Sequence, residues 1–133
     1  NTGAGHALGY GIEKLTFLRG CPVPHGAAVA LVLPGVIRHN IPAVSEKYYY
    51  AAGVAGMNLK GKTRELGAAE AGAWINDLRC NYTTFSTLEA VGITEEDIPK
   101  MVQMALTVRR LLDPNPVPVD QSVAESIYRS VLN

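Results

Sequence analysis

The centre of this sequence is the apolar stretch PHGAAVALVLP at residues 24–34. Pro24 disfavours helix for the residue before it, so His25 is predicted to lie at or near the start of a helix over residues 26–38. This helix is almost wholly apolar through Leu33, and a helix without a polar face is buried on most sides. The stretch therefore predicts a central helix in a helical domain, with a histidine at its first turn.

Another histidine, His6, lies nineteen positions earlier, near the beginning of a helix predicted over residues 4–17. Leu8, Ile12 and Leu15 recur there at three- and four-residue steps and predict its core face. Four of the first eleven residues are glycine, which weakens a helix and indicates close approach of another helix or a ligand. Two imidazoles can supply two ligands to one metal ion, but two ligands do not complete a site.

The rest of the chain also reads as helix, with no convincing strand. Further helices are predicted over residues 43–55, over residues 64–82, from Thr94 to Leu112, and after Asp120, which caps the last one. In the helix over residues 64–82, the residues predicted to face the core are Leu66, Ala69, Ala73, Trp74, Ile75 and Leu78. Together these elements predict an all-α fold, a bundle of six or seven helices in a single helical domain spanning residues 1–133.

Composition narrows the possible partners. Twelve Lys and Arg balance twelve Asp and Glu, which gives no electrostatic reason for nucleic acid or an acidic membrane surface as a partner. No apolar run approaches the roughly 20 residues of a membrane span, since Pro34 stops the longest one. The start at Asn1 has no signal-peptide pattern and no methionine, and we interpret it as following a missing upstream region. We expect a cytoplasmic protein with two free thiols, Cys21 and Cys80.

Three separated blocks of sequence carry a resemblance to a known family. The first consists of GHALG at residues 5–9 and PHGAAVALVLP at residues 24–34, with Asn40 six positions later. The second is GITEEDIP from residue 92, and the third is DPNPVPV from residue 113, followed by IYR from residue 127. Together they resemble the C-terminal helical domain of the iron-containing (group III) alcohol dehydrogenases, in the dehydroquinate synthase-like superfamily.

The resemblance implies that His6 and His25 are two of four metal ligands, the other two being an Asp and a His from an upstream region. It implies a divalent metal, iron or alternatively zinc, that polarises the oxygen of a small-molecule alcohol or aldehyde. It also implies NAD(P) held by an N-terminal dinucleotide-binding domain, which we expect to be absent here because no G-x-G-x-x-G-like loop follows a strand. The family often has another histidine one turn after the first. That position is Tyr10 in this chain, a candidate substrate contact.

Simpler interpretations of single residues stand beside these. A lone histidine on an apolar helix is usually a hydrogen-bonded core group, and we assign His39, near a predicted helix end, no role. Glu13 and Lys14 are interpreted as a solvated face, although a synthase-like site would give them more. Cys21 lies four residues before His25, a spacing that some zinc sites use.

The predicted function is the metal-binding and substrate-pocket domain of an NAD(P)-dependent alcohol dehydrogenase, inactive as an isolated chain. One alternative is a carbocycle-forming lyase domain of the dehydroquinate synthase kind, although the Glu that usually follows the His-Gly pair there is missing. The other is a non-catalytic helical module that associates with itself or with a separate partner. A homo-oligomer is expected, because surface left uncovered by a missing domain favours association.

Overall fold

The structure, a computed structural model, describes residues 3–133. They form six α-helices and two short 3₁₀ helices, and no strand occurs among them. The helices are α1 (Gly3–Leu18), α2 (His25–Val54), α3 (Arg64–Tyr82), α4 (Ile98–Leu106), α5 (Arg109–Leu112) and α6 (Gln121–Arg129), with 3₁₀ turns at Glu89–Val91 and Glu95–Asp97. The predicted all-α bundle is confirmed. The interpretation of Asn1 concerns a residue outside this described range.

Helix α1 lies in the middle of the core and contacts α2, α4 and α5. Its predicted core residues Leu8, Ile12 and Leu15 are buried. Helix α6 closes the bundle near α1, because the fully buried Tyr128 donates its hydroxyl to the Leu8 carbonyl oxygen at 2.7 Å. The first and last helices are therefore joined in one core.

Helix α2 differs from its prediction. It begins at His25, as expected, but continues through Pro34 and Pro42 to residue 54, where two helices were predicted. The helical conformation is interrupted only at Val44 (φ −141°, ψ 29°). A break was predicted between residues 38 and 43, with Pro42 opening a new helix, yet a proline that loses one hydrogen bond can kink a helix instead of ending it.

Helix α2 is also the one helix in residues 3–133 that is long and apolar enough to cross a membrane by length and composition alone. The prediction ended the apolar segment at Pro34, but the helix continues through this proline, so the apolar helical segment is longer than predicted. Of its most apolar window, 44% is buried inside the fold. Contacts with α1, α3 and α6 account for this apolar character, as in the core helix of a folded domain.

Helix α3 has the predicted bounds but presents a different face to the core. Leu66, Trp74 and Leu78 are exposed, and Ala69 and Ala73 are exposed with them. The side that packs on α2 carries the small residues Gly67, Ala68, Ala71 and Gly72. Small residues let the two helices approach closely: a Cβ added at Gly67 would collide with the ring of Tyr49. The predicted core face of α3 is therefore wrong, since five of its six residues are exposed and only Ile75 is half-buried.

The C-terminal third follows its capping signals. The Asp97 carboxylate accepts the Thr94 backbone N–H at 2.9 Å, so the imperfect capping box is present. Asp120 accepts the Val123 N–H at 2.9 Å and caps α6 as predicted. The helix predicted to reach Leu112 is broken, however, because Val108 leaves helical geometry (φ −90°, ψ 57°) and separates α4 from α5.

Candidate metal centre

The two histidines singled out in the sequence lie side by side. His6 occupies the first turn of α1 and His25 is the first residue of α2. Their ring centroids are 5.1 Å apart, with the ring planes tilted by 54°. Two imidazoles that bind one tetrahedral ion at metal–nitrogen distances of about 2.1 Å have centroids roughly 5 Å apart. The pair therefore fits a shared divalent ion in both donor type and spacing.

The close crossing of α1 and α2 produces this proximity. A Cβ added at Gly9 would lie 2.9 Å from Val29 Cγ2 and 3.1 Å from the Val29 backbone nitrogen. Only glycine allows this approach, which confirms the interpretation of the glycines in α1. Two residues later, on the opposite side of α1, Gly11 meets Tyr128 in the same way.

The connection between α1 and α2 is fixed by a buried hydroxyl. Thr16 donates its hydroxyl to the Ile12 carbonyl oxygen at 2.9 Å and accepts the Val23 backbone N–H at 3.2 Å. The Thr16 carbonyl oxygen also accepts the Cys21 N–H at 3.1 Å. Residues 19–24 thus return the chain to α1 in a defined conformation, which sets the position of His25.

A third residue, Glu13, contacts the histidine pair. Its carboxylate oxygen Oε1 lies 2.6 Å from His25 Nδ1, and its side chain is only 26% exposed. The interpretation of Glu13 as a solvated face is therefore wrong. A signal was present in the sequence, because His6, Tyr10 and Glu13 are spaced i, i+4 and i+7 and share one side of α1.

Tyr10 lies one turn after His6 and is 45% exposed. It borders an open groove of about 430 Å³ beside the histidine pair. The groove is lined by Tyr10, Glu13, Lys14, Phe17, Leu18, Pro22 and Val23. Its walls are mainly apolar, with the Tyr10 hydroxyl and two charged side chains as its polar groups.

The other candidate residues do not join this site. His39 lies inside α2 and not at a helix end, and its Nε2 is 3.0 Å from the Pro118 carbonyl oxygen. Cys21 and Cys80 are free and exposed. Within residues 3–133, no group of three or more His, Cys, Asp or Glu side chains is arranged to hold a metal ion. Among these residues, His6 and His25 offer two neighbouring imidazole donors.

Sequence comparison places these observations among known proteins. Residues 1–132 match the family described as "Fe-containing alcohol dehydrogenase family, C-terminal". The 1,3-propanediol dehydrogenase of Klebsiella pneumoniae is 34% identical over 106 residues, which are 80% of this chain and 26% of that protein. The lactaldehyde reductase of Escherichia coli K12 is 36% identical over 83 residues, 62% of this chain and 22% of that enzyme.

Solved structures agree in fold. A crystal structure of 1,3-propanediol oxidoreductase matches 98% of this chain and 32% of its own chain, with a TM-score of 0.85 and 30% identity. An alcohol dehydrogenase from Oenococcus oeni matches 97% of this chain and 32% of its own, with a TM-score of 0.86 at 22% identity. The chain therefore spans about a quarter to a third of the length of these relatives.

Proposed function

Because the chain belongs to the Fe-containing alcohol dehydrogenase family, whose C-terminal region it matches over residues 1–132, we propose that it is the metal-binding and substrate-pocket domain of an NAD(P)-dependent oxidoreductase. The reaction is the interconversion of an alcohol and an aldehyde or ketone. The observation that carries the proposal is the pair of imidazoles at 5.1 Å, on two helices held together at Gly9.

In this proposal His6 and His25 hold a divalent ion, iron or alternatively zinc, together with donors from outside the described residues. The bound ion supplies a Lewis acid for the substrate oxygen, and NAD(P) exchanges the hydride. The apolar walls of the open groove contact the carbon chain of the substrate in this proposal, and Tyr10 donates a hydrogen bond to the substrate oxygen.

Several features belong to the proposal as a whole. NAD(P) binds to an N-terminal dinucleotide-binding domain, so the 133-residue chain without it is expected to be inactive. We also propose that the protein is cytoplasmic and forms a homo-oligomer. Light scattering would measure the mass of this oligomer. The relatives described above are dehydrogenases and reductases, which favours this reaction over a carbocycle-forming lyase.

Native mass spectrometry of the chain with added Zn²⁺ or Fe²⁺ tests the metal site. We expect one ion per chain or per dimer, and loss of that ion in the His6→Ala, His25→Ala double variant. His39→Ala is the matched control, since His39 bonds to Pro118 and lies outside the site. Equal metal binding by the double variant would overturn the assignment.

The reaction is tested in the natural polypeptide that contains residues 1–133. NAD(P)H oxidation is followed with short aldehydes, with lactaldehyde among them, and the reverse reaction with 1,3-propanediol. We expect activity that needs the metal and is lost on His25→Ala. Activity that persists after complete metal removal would contradict the proposal.

A further inference from the structure

Glu13 and His25 form a contact that the metal pair alone does not explain. They are twelve residues apart, on the fourth turn of α1 and the first residue of α2, and their side-chain atoms approach to 2.6 Å. Glu13 is the more buried partner, whereas the His25 side chain is 55% exposed. The same imidazole faces the His6 ring. His25 therefore contacts both a carboxylate and a second imidazole.

Proton chemistry fixes what this contact does. An ionised carboxylate only accepts hydrogen bonds, and a neutral imidazole carries one proton, on either Nδ1 or Nε2. When the Glu13 carboxylate at 2.6 Å is ionised and the His25 ring is neutral, the ring proton lies on Nδ1 and the lone pair on Nε2. Histidines that ligate metals commonly donate their second N–H to a carboxylate, which fixes the tautomer and the ring orientation.

We propose that Glu13 is a positioning residue that holds His25 in its Nδ1–H tautomer and turns the bare Nε2 toward the ion shared with His6. This inference rests on the proposed function, because it concerns the same ion. It also extends that function, since Glu13 touches neither metal nor substrate and acts through His25. A carboxylate that contacts a metal ligand in this way raises the basicity of that ligand.

Stability alone gives a weaker reason for the contact. A pair with one side chain this exposed contributes little to folding. Removing the Glu13 carboxylate should therefore leave the fold intact while the state of the His25 ring changes. The effect of Glu13 on the His25 ring can therefore be measured separately from folding and without any metal.

The primary measurement is the tautomer of His25 in the metal-free chain. The sequence contains three histidines, so ¹⁵N-histidine labelling with long-range ¹H–¹⁵N spectra at alkaline pH resolves each ring. His6→Gln and His39→Gln variants assign the signals. We expect wild-type His25 to show a protonated Nδ1, Glu13→Ala to move it toward the Nε2–H form, and Glu13→Gln, which keeps an acceptor oxygen, to lie between them. Asp77→Asn removes an exposed carboxylate on α3 and should change nothing.

Zn²⁺ titration of the same samples gives the second measurement. Loss of a carboxylate behind a ligating histidine typically lowers metal affinity by about 10–100-fold, and we expect this for Glu13→Ala with an unchanged circular dichroism spectrum. If His25→Ala binds Zn²⁺ like the wild type, the proposed metal site fails. If His25→Ala loses Zn²⁺ but Glu13→Ala keeps the tautomer or the full affinity, only the role of Glu13 is overturned.

Discussion

Gly11 lets the last helix reach the backbone of the first. A Cβ added there would lie 2.5 Å from the Tyr128 hydroxyl oxygen and 2.8 Å from the Met101 carbonyl oxygen. The second atom belongs to the backbone of α4 and cannot rotate away. The hydroxyl that occupies this space is bonded to the Leu8 carbonyl oxygen, and its burial raises the pKa of Tyr128.

Gly11→Ala should therefore destabilise the chain although alanine is the better helix former. We expect a loss of about 1–3 kcal/mol from overpacking, against a gain of up to about 1 kcal/mol in helix propensity. Gly26→Ala is the control, because no atom lies within 4 Å of a Cβ there. Urea unfolding followed by circular dichroism measures both, and equal stability of the two variants would contradict the close packing described at Gly11.

Asn40 and Asn115 form a reciprocal amide pair that ties α2 to the proline-rich segment. The two hydrogen bonds are 3.1 and 2.8 Å long, and Asn40 is only 2% exposed. The Asn115 amide also reaches the Ala4 N–H and the Val117 carbonyl oxygen. One buried pair thus connects the start of α1, the middle of α2 and the chain before α6.

Replacing Asn40 by alanine should cost about 1–3 kcal/mol, because it removes both hydrogen bonds of the pair and leaves Asn115 with only its bonds to Ala4 and Val117. The double variant with Asn115→Ala should be less destabilised than the sum of the single variants, by roughly 0.5–3 kcal/mol. Strict additivity in a denaturation series would show that the two amides do not stabilise one another.

At the scale of helices, Asp97 connects the end of α1 to the start of α4. Its carboxylate is bonded to both Nη atoms of Arg19, and these bonds, followed by those from Thr94, hold its pKa below the usual range. A carboxyl group with a depressed folded-state pKa stabilises the fold above its unfolded value of about 4. That contribution is lost as pH falls through the folded-state pKa.

Asp97→Asn should therefore lower stability at about pH 7 by roughly 1–3 kcal/mol and flatten the decline of stability on acidification toward about pH 3. Asp113→Asn is the comparison, because the Arg109–Asp113 pair is exposed on both sides and should contribute within about 1 kcal/mol. The free energy of unfolding is measured in urea at several pH values. A parallel pH profile for Asp97→Asn and the wild type would refute the coupling.

The helices also show what the sequence could and could not predict. Periodicity and capping signals placed α1, α3 and the starts of α2, α4 and α6 correctly, because these are local effects. The face of α3 was wrong because the partner surface on α2, where Tyr49 covers Gly67, is a tertiary contact with no local signal. The continuity of α2 between residues 38 and 43, where a break was predicted, depends in the same way on packing from several sides.

For the site, the family resemblance supplied His6 and His25, while spacing alone supplied only the possibility of a pair. Glu13 was missed because charged residues on a helix usually face solvent, and its partner comes from the next helix. The position of that partner depends on the Thr16 bonds that shape the loop over residues 19–24. Such dependence on a loop conformation cannot be read from helical periodicity.

Over the whole molecule, the two histidines lie on helices that separate only when the core opens. His6 is on α1, which contacts α2, α4 and α5, and His25 begins α2. An ion that binds both rings should therefore bind the folded chain in preference to the unfolded one. By mass action, an ion at 100 times its dissociation constant adds about 2.7 kcal/mol to the free energy of unfolding.

For a chain of 133 residues, an increase of about 2.7 kcal/mol in the free energy of unfolding corresponds to a rise of roughly 10 °C in the thermal midpoint. We expect added Zn²⁺ to produce a concentration-dependent rise in the wild type and in His39→Ala, and none in the His6→Ala, His25→Ala double variant. Calorimetry with and without a chelator measures the thermal midpoint of each variant. A rise of equal size in the double variant would place the binding ion elsewhere and overturn the proposed site.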